Sequence, residues 1–121
     1  MDRFLSPEWL AAQQARAATI EIGDAGPSEA IVVQHEVTVA DGEVTYHVVV
    51  DRAGVSVHDG RAVAATVTFS ADEPTAQAIC EGRLSAQAAY MAGRLRLRGD
   101  VRALLRWGPT LAQLPDRTPL R

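Results

Sequence analysis

The stretch from Gly82 to Leu105 reads GRLSAQAAYMAGRLRLRGDVRALL. It holds a short helical pattern, an alternation of arginine with leucine, and a second helical pattern, with a glycine at each junction. Glycine adopts the positive φ angles that tight corners require, so the stretch predicts a helix–strand–helix path. It contains no evident nucleophile, metal-ligand set or phosphate-binding loop, which favours a binding function over catalysis.

The residues before this stretch alternate with the period of two that is typical of strands. From Ile31 the apolar positions fall on one face, and Asp41-Gly42 predicts a two-residue hairpin turn. That turn pairs Ala40 with Glu43, places His35 opposite Val48 and sets His47 opposite Glu36. A third strand follows the turn at residues 51–54, and a fourth is predicted with Val63, Ala65, Val67 and Phe69 on its apolar face.

Helix-capping residues mark the helical segments. Ser6, Asp72 and Ser85 are predicted N-caps, and a last helix is expected to start after Asp100 and to break at 108–109, a Gly-Pro pair. We expect that helix to turn Val101, Leu104 and Leu105 inward.

These segments together predict an α+β fold, a five-stranded sheet with the helices packed on one face. The path from the fourth strand through two helices to the fifth suits a crossover, so the sheet is predicted to be mixed. The 121 residues predict one domain over 1–121, with an irregular tail at 115–121.

Composition narrows the class of protein. The chain has one cysteine, Cys80, no apolar run near the ~20 residues that a membrane span needs, and no apolar core of a secretory signal near its N-terminus. These features predict a cytoplasmic protein. Residues 1–81 hold 13 acidic residues and four arginines, whereas 82–121 hold eight arginines and two acidic residues. Either an anionic partner or packing between the halves would explain this asymmetry.

No combination of side chains points to catalysis, a cofactor or a metal. His47 and His58 are predicted on the solvent face of the sheet, and His35 on its apolar face, either as a buried hydrogen-bonded histidine or as a polar group in an apolar pocket. Cys80 lies on an apolar helix stripe and is expected to be a buried hydrophobe.

The default interpretation of the strand of alternating arginines is a solvated face; an anionic lipid or membrane partner is the alternative, and a nucleic acid is disfavoured. Arg94, Arg96 and Arg98 are predicted to share one strand face that could contact an anionic membrane surface or acidic lipid headgroups. Aromatic residues make up only 5% of the chain, which disfavours nucleic-acid binding because such modules interleave stacking aromatics.

Three segments resemble the sterol carrier protein type 2 family, in particular its short single-domain bacterial members: GRLSAQAAYMAGRLRLRGD from Gly82, FLSPEWL from Phe4, and DEPTA from Asp72. The resemblance covers nearly the whole chain and implies an apolar tunnel between the sheet and the helices. It implies these lipid-facing positions: Phe69, Ile79, Leu84, Tyr90, Met91, Leu95, Leu97, Leu104, Leu105 and Leu111. To these the sheet pattern adds Tyr46 and His35.

The resemblance implies non-catalytic intracellular binding or transfer of sterols, fatty acyl chains or similar apolar lipids. The sequence departs from the family at its C-terminus: it ends Pro119-Leu120-Arg121, which is not a peroxisomal C-terminal tripeptide. An alternative is a protein-interaction, dimerisation or accessory module of the same fold without a usable lipid cavity. The sequence leaves the formation of a homodimer undecided.

Overall fold

The computed structural model of the chain describes residues 3–23 and 29–111, without the Leu111 side chain. The predicted irregular tail at 115–121 lies outside the described residues. The elements are α1 (Pro7–Ala17), β1 (Ile31–Val39), β2 (Gly42–Asp51), β3 (Gly54–Asp59), β4 (Val67–Asp72), α2 (Glu73–Cys80), α3 (Ala86–Met91), β5 (Leu95–Gly99) and α4 (Val101–Leu111).

The five strands form one mixed sheet, as predicted, and their order is β3-β2-β1-β4-β5. The parallel pair, however, is β1 with β4, whereas β4 and β5 are antiparallel neighbours. The predicted crossover before β5 is therefore wrong. Two short helices, ending near Gly82 and Gly93 in positive-φ corners, fold the chain back on itself. The crossover instead comprises residues 60–66, between β3 and β4.

The hairpin register differs from the prediction, although the faces are correct. Val39 pairs with Gly42, so the two-residue loop is Ala40-Asp41, and His35 lies opposite Tyr46 instead of Val48. The register slips by two residues because Gly42, with φ of +150°, starts the strand instead of closing the turn. A slip of two leaves every side chain on its predicted face.

The crossover segment lies across the polar face of the sheet. The Gly60 amide donates to the Thr45 carbonyl (3.0 Å), and the Ala62 amide donates to Gln34 Oε1 (3.0 Å). Val63 is fully exposed, so its predicted place on the apolar face of a fourth strand is wrong. The segment is held by these polar contacts instead of by apolar packing.

The helices cover the opposite face, where the core lies. Helix α1 packs on β3, α2 on β1 and β4, α3 on β5, and α4 on β1. The core combines alternate strand residues with Trp9 and Ala17 of α1 and Ala103 and Trp107 of α4. The three predicted caps are confirmed, since the side chains of Ser6, Asp72 and Ser85 each accept a backbone N–H of their helix.

Helix α4 departs from the prediction in length and in orientation. It continues through Pro109 to Leu111. Its buried residues are Ala103, Trp107 and Thr110, while Val101 is 43% and Leu105 70% exposed. Trp107 Nε1 donates to the carbonyl of Glu29 (3.0 Å). Burial of this large side chain determines which face of α4 packs against the core, and the helix continues past Pro109.

Candidate functional site

One row of side chains crosses the apolar face of the sheet and unites four of the positions expected to face lipid. Strand pairing places Leu97 beside Phe69, Phe69 beside His35, and His35 beside Tyr46. The row therefore spans four strands, from the edge strand β5 to β2. We call these four residues the cross-sheet row.

The rings within the row are in contact. His35 stacks on Tyr46 with ring centroids 4.7 Å apart, and Phe69 meets the other side of His35 edge-on at 5.4 Å. His35 is partly exposed as a residue, yet its Nε2 is buried and has no hydrogen-bond partner among the described residues. The predicted hydrogen bond to a neighbour is therefore not seen at this atom.

Burial sets the protonation states of the row. It lowers the pKa of His35 to about 4, so the imidazole is neutral at physiological pH. Burial also raises the pKa of the Tyr46 hydroxyl, with a smaller contribution from Cys80. Both rings are therefore uncharged, and the row presents an apolar surface whose three polar atoms are the two ring nitrogens of His35 and the hydroxyl oxygen of Tyr46.

At the β5 end of the row lies an open cleft of about 830 Å³. Tyr90 and Met91 of α3 and Leu95 and Leu97 of β5 supply its apolar lining, and all four belong to the expected lipid-facing set. The remaining lining residues are Ser70, Gly93, Arg96 and Arg98. Tyr90 is 54% and Met91 78% exposed, so a large apolar surface at this cleft faces solvent.

A second, smaller cleft lies toward the other end of the row. Trp9 lines this cleft of about 360 Å³ and meets Tyr46 edge-on at 5.6 Å. Phe4, also in the lining, meets Trp9 edge-on at 5.1 Å. Cys80 of α2 lines the same cleft and is half-buried. A chain of apolar contacts thus runs from one cleft to the other beneath the helices.

The other expected lipid-facing residues lie outside the row and the larger cleft. Ile79 on α2 and Leu84 in the turn before α3 are half-buried, and Leu104 packs against the core. Leu105 was expected to face inward. It instead points to solvent, because burial of Trp107 determines which face of α4 packs against the core. The side chain of Leu111 lies outside the described residues.

The predicted arginine stripe is reduced to two residues. Arg94 precedes β5, and its Nε donates to Thr75 Oγ1 on α2 (3.2 Å). Arg98 forms an ion pair with Glu36 on the polar face (2.7 Å). Arg96 is exposed and carries no ion pair or side-chain hydrogen bond within residues 3–23 and 29–111. Arg96 therefore brings the uncompensated positive charge to the cleft.

Glu36 is the central hydrogen-bonding residue of the polar face. Its predicted partner was His47, but this prediction is wrong, because His47 lies opposite Gln34. Only 9% exposed, Glu36 accepts from Arg61 (2.9 Å), Arg98 (2.7 Å) and Gln34 Nε2 (3.0 Å). Burial alone would raise the pKa of Glu36, but the hydrogen bonds from Arg61 and Gln34 and the charges of both arginines outweigh it and hold the pKa below its usual value.

The remaining polar candidates form no recognisable reactive centre. His47 and His58 stack at 5.0 Å, with His47 Nδ1 2.8 Å from the Gly60 carbonyl. No group of three or more histidine, cysteine or acidic side chains able to hold a metal ion occurs in the described part of the chain. Within it, no helix is both long and apolar enough to cross a membrane.

Sequence reasoning missed two aromatic residues that lead to the row. Phe4 and Trp9 flank the helix cap and line the second cleft, but neither was expected to face the ligand. The signal available was the pair of large aromatics around Ser6 in a chain with few aromatics. Their meeting with Tyr46 depends on how α1 packs on the sheet, which local periodicity does not encode.

Comparison with known proteins places this geometry in context. Residues 24–112 match the model of the SCP-2 sterol transfer family, whereas no curated protein sequence matches significantly. A crystal structure of sterol carrier protein 2 superposes with a TM-score of 0.69 at 21% identity, covering 98% of this chain and 95% of that one. Sterol carrier protein 2 like 2 from Aedes aegypti gives 0.62 at 22%, with 82% and 89% covered. A double mutant of the sec-alkyl sulfatase PisA1 gives 0.62 at 19%, covering 94% of this chain and 17% of that one.

Proposed function

This chain belongs to the SCP-2 sterol transfer family, and from that premise we propose that it binds and transfers an apolar lipid, without catalysis, along the cross-sheet row. The ligand class comprises sterols, fatty acyl chains and similar hydrocarbons. We place the entrance at the cleft between α3 and β5. A cytoplasmic location, inferred from the single cysteine, is part of the same proposal.

The observation that carries the proposal is the continuity between the larger cleft and the row. Leu97 lines the cleft and is also the first member of the row, so a chain entering there meets Phe69 next. The cleft volume of about 830 Å³ falls in the range of small-molecule sites, roughly 300–1,000 Å³. Each methylene buried there would contribute about 0.8 kcal/mol before the costs of association.

Membrane contact is the second part of the proposal. A lipid carrier that exchanges ligand with a bilayer has to contact it, and Arg96 at the cleft has no acidic partner among the described residues. An exposed arginine near an anionic surface contributes about 1 kcal/mol of attraction. Arg98 is expected to contribute less because it already pairs with Glu36, and Arg94 is directed toward α2.

A second candidate function is an accessory or interaction module of the same fold. It is favoured by the solvent-open form of both clefts and by complete burial of the core valines Val33, Val48, Val50 and Val67. The fold also forms a minor part of the sulfatase chain. In that case the apolar surface of Tyr90 and Met91 would contact protein instead of lipid.

Displacement of a fluorescent fatty acid or sterol analogue separates the two functions. The substitution Met91→Asp places a carboxylate in the cleft lining, at a position exposed enough to keep the fold. We expect uptake to weaken about tenfold or more, since about 1.4 kcal/mol corresponds to a factor of ten. Val63→Asp is the matched control, because Val63 is exposed on the crossover segment and lines neither cleft.

Binding that Met91→Asp leaves unchanged would remove the cleft from the proposal. Absence of any binding by the wild-type chain, together with no lipid retained in native mass spectrometry, would favour the accessory module.

A further inference from the structure

The two edge strands of the sheet, β3 and β5, differ in how much of each is covered by other parts of the chain. At the β3 edge, α1 packs against the strand and Gln14 Nε2 donates to the Val57 carbonyl (3.1 Å). At the β5 edge, β5 pairs with β4 on one side, and no described residue hydrogen-bonds to its outer backbone groups. Exposed strand edges are templates for a further strand, so the uncovered edge is a potential docking site.

The side chains of β5 give this edge two unlike faces. Leu95 and Leu97 point to the helix side, and Arg96 and Arg98 point to the polar side. Arg98 is partly neutralised by Glu36, while Arg96 has no acidic partner in the described part of the chain. A strand placed alongside would therefore meet leucines on one face and positive charge on the other.

Helix α3 adds a wall beside the edge. Tyr90 and Met91 expose large apolar side chains next to Gly93 and Leu97 in the cleft of about 830 Å³. The cleft is lined by residues from both faces of β5, so it wraps around the outer edge of the strand. A groove between a helix and a sheet edge is the geometry by which some domains add a peptide as an extra strand.

The charges distinguish among the occupants of this groove. If β5 of a second copy paired there with leucines facing leucines, its arginines would face Arg96 and Arg98, and like charges directly opposite each other destabilise a strand pair. The chain's own segment 112–121 carries two prolines, two arginines and one acidic residue. Proline cannot donate to a strand ladder, and the arginines repeat the unfavourable charge. An acidic partner segment has neither defect.

We propose that the outer edge of β5 accepts an extended segment of a partner protein as a sixth strand. The segment carries acidic residues at alternate positions, facing Arg96 and Arg98, and apolar residues between them, facing Tyr90, Met91 and Leu97. This interaction goes beyond lipid binding. Because the segment would lie over the same cleft, a bound partner would cover the entrance proposed for the lipid.

The test uses a fluorescently labelled nine-residue peptide of alternating glutamate and valine, with fluorescence anisotropy as the readout. Two further peptides carry backbone N-methyl groups on one or the other alternate set of amides, which leaves the charges unchanged. In an added strand only one set of amides faces β5. We therefore expect one methylated peptide to bind at least tenfold more weakly and the other to stay within about threefold of the parent.

Protein variants test the charge contribution. Arg96→Glu is expected to weaken the parent peptide at least tenfold. Arg102→Glu, at an exposed position of α4, is the matched control with the same change in net charge and an expected effect below twofold. Amide chemical shifts of residues 95–99 should move on peptide binding, while those of β3 should not.

Three results would overturn the proposal. Equal affinity for all three peptides would mean that charge alone attracts them. Equal losses for Arg96→Glu and Arg102→Glu would mean that the attraction is spread over the surface. A dimer of the chain that sedimentation detects and Arg96→Glu disrupts would assign the edge to a second copy. Lipid displacement by the wild-type chain is scored separately, so it stands or fails independently of these results.

Discussion

Glu36 is predicted to be the polar group on which the sheet's solvent-side face most depends. The substitution Glu36→Gln keeps the shape of the side chain and removes its charge. It weakens the hydrogen bonds from Arg61 and Arg98, and its new NH2 group meets existing donors, at Gln34 and Arg61 in one amide orientation and at Arg98 in the other. A hydrogen bond to a buried charged group contributes about 1.5–3 kcal/mol, whereas exposed ion pairs contribute about 0–1 kcal/mol.

The two arginine side chains are 62% and 66% exposed, so solvent screens both and the lower part of the range applies. We expect the free energy of unfolding to fall by about 2 kcal/mol. For a chain of this length that corresponds to a decrease in Tm of roughly 6–10 °C. Chemical denaturation followed by circular dichroism measures the first quantity, and a thermal scan measures the second.

Glu43→Gln is the matched control. Glu43 also pairs with Arg61 (3.1 Å), but its side chain is 44% exposed, so its loss should cost no more than about 0.5 kcal/mol. The pH dependence adds a second criterion. Because the folded-state pKa of Glu36 lies below its usual value, its contribution is present at neutral pH and is lost only as the pH falls through that lowered pKa, so the stabilities of the wild type and Glu36→Gln should converge in strong acid. Equal effects of the two substitutions, or a difference that persists in acid, would refute the reasoning.

Three further predictions probe the fold. Gly99→Ala should lower the free energy of unfolding by at least about 2 kcal/mol, since φ is +107° and the new Cβ would overlap the backbone of Thr66. Its control, Gly93→Ala, has φ of +76° and open space around it, so it should cost only about 1 kcal/mol. Equal losses of the two variants in urea titrations would contradict the overlap. Trp107→Phe should cost about 1–2 kcal/mol by the same measurement, through loss of the indole hydrogen bond; an unchanged midpoint would contradict this. Wild-type stability should fall as the pH drops from about 6.5 to about 4, because protonation of buried His35 favours the unfolded state; His35→Phe should remove that slope, and a slope retained in the variant would assign it to other groups.

The faces of the sheet could be predicted from the sequence, because alternation depends only on neighbouring residues. The same alternation holds for any register that slips by two, so His35 was assigned the correct face and the wrong partner. Gly42 decides the register through its backbone conformation, which the alternation of side chains does not encode.

The crossover and α4 could not be predicted, because both depend on contacts between distant segments. Residues 62–65 are apolar enough to suggest a strand, but Arg61 and Ala62 bind Glu36 and Gln34 across the polar face and hold the segment there. In α4 the inward face follows Trp107, whose indole meets a carbonyl 78 residues earlier. Four of the residues that line the larger cleft belong to the expected lipid-facing set, whereas the contact between the row and Trp9 depends on the packing of α1.

The ion pairs of Glu36 with Arg98 (2.7 Å) and of Glu29 with Arg106 (3.7 Å) connect an acidic first part of the chain to a basic last part. The exposed corner at Gly82-Arg83 separates these parts, and the pairing of β4 with β5 brings them together again. If the backbone were cut there, the two fragments would attract each other through opposite net charge. Their reassembly into the complete sheet should be faster in dilute buffer than in concentrated salt, which makes this corner a natural position for a split reporter.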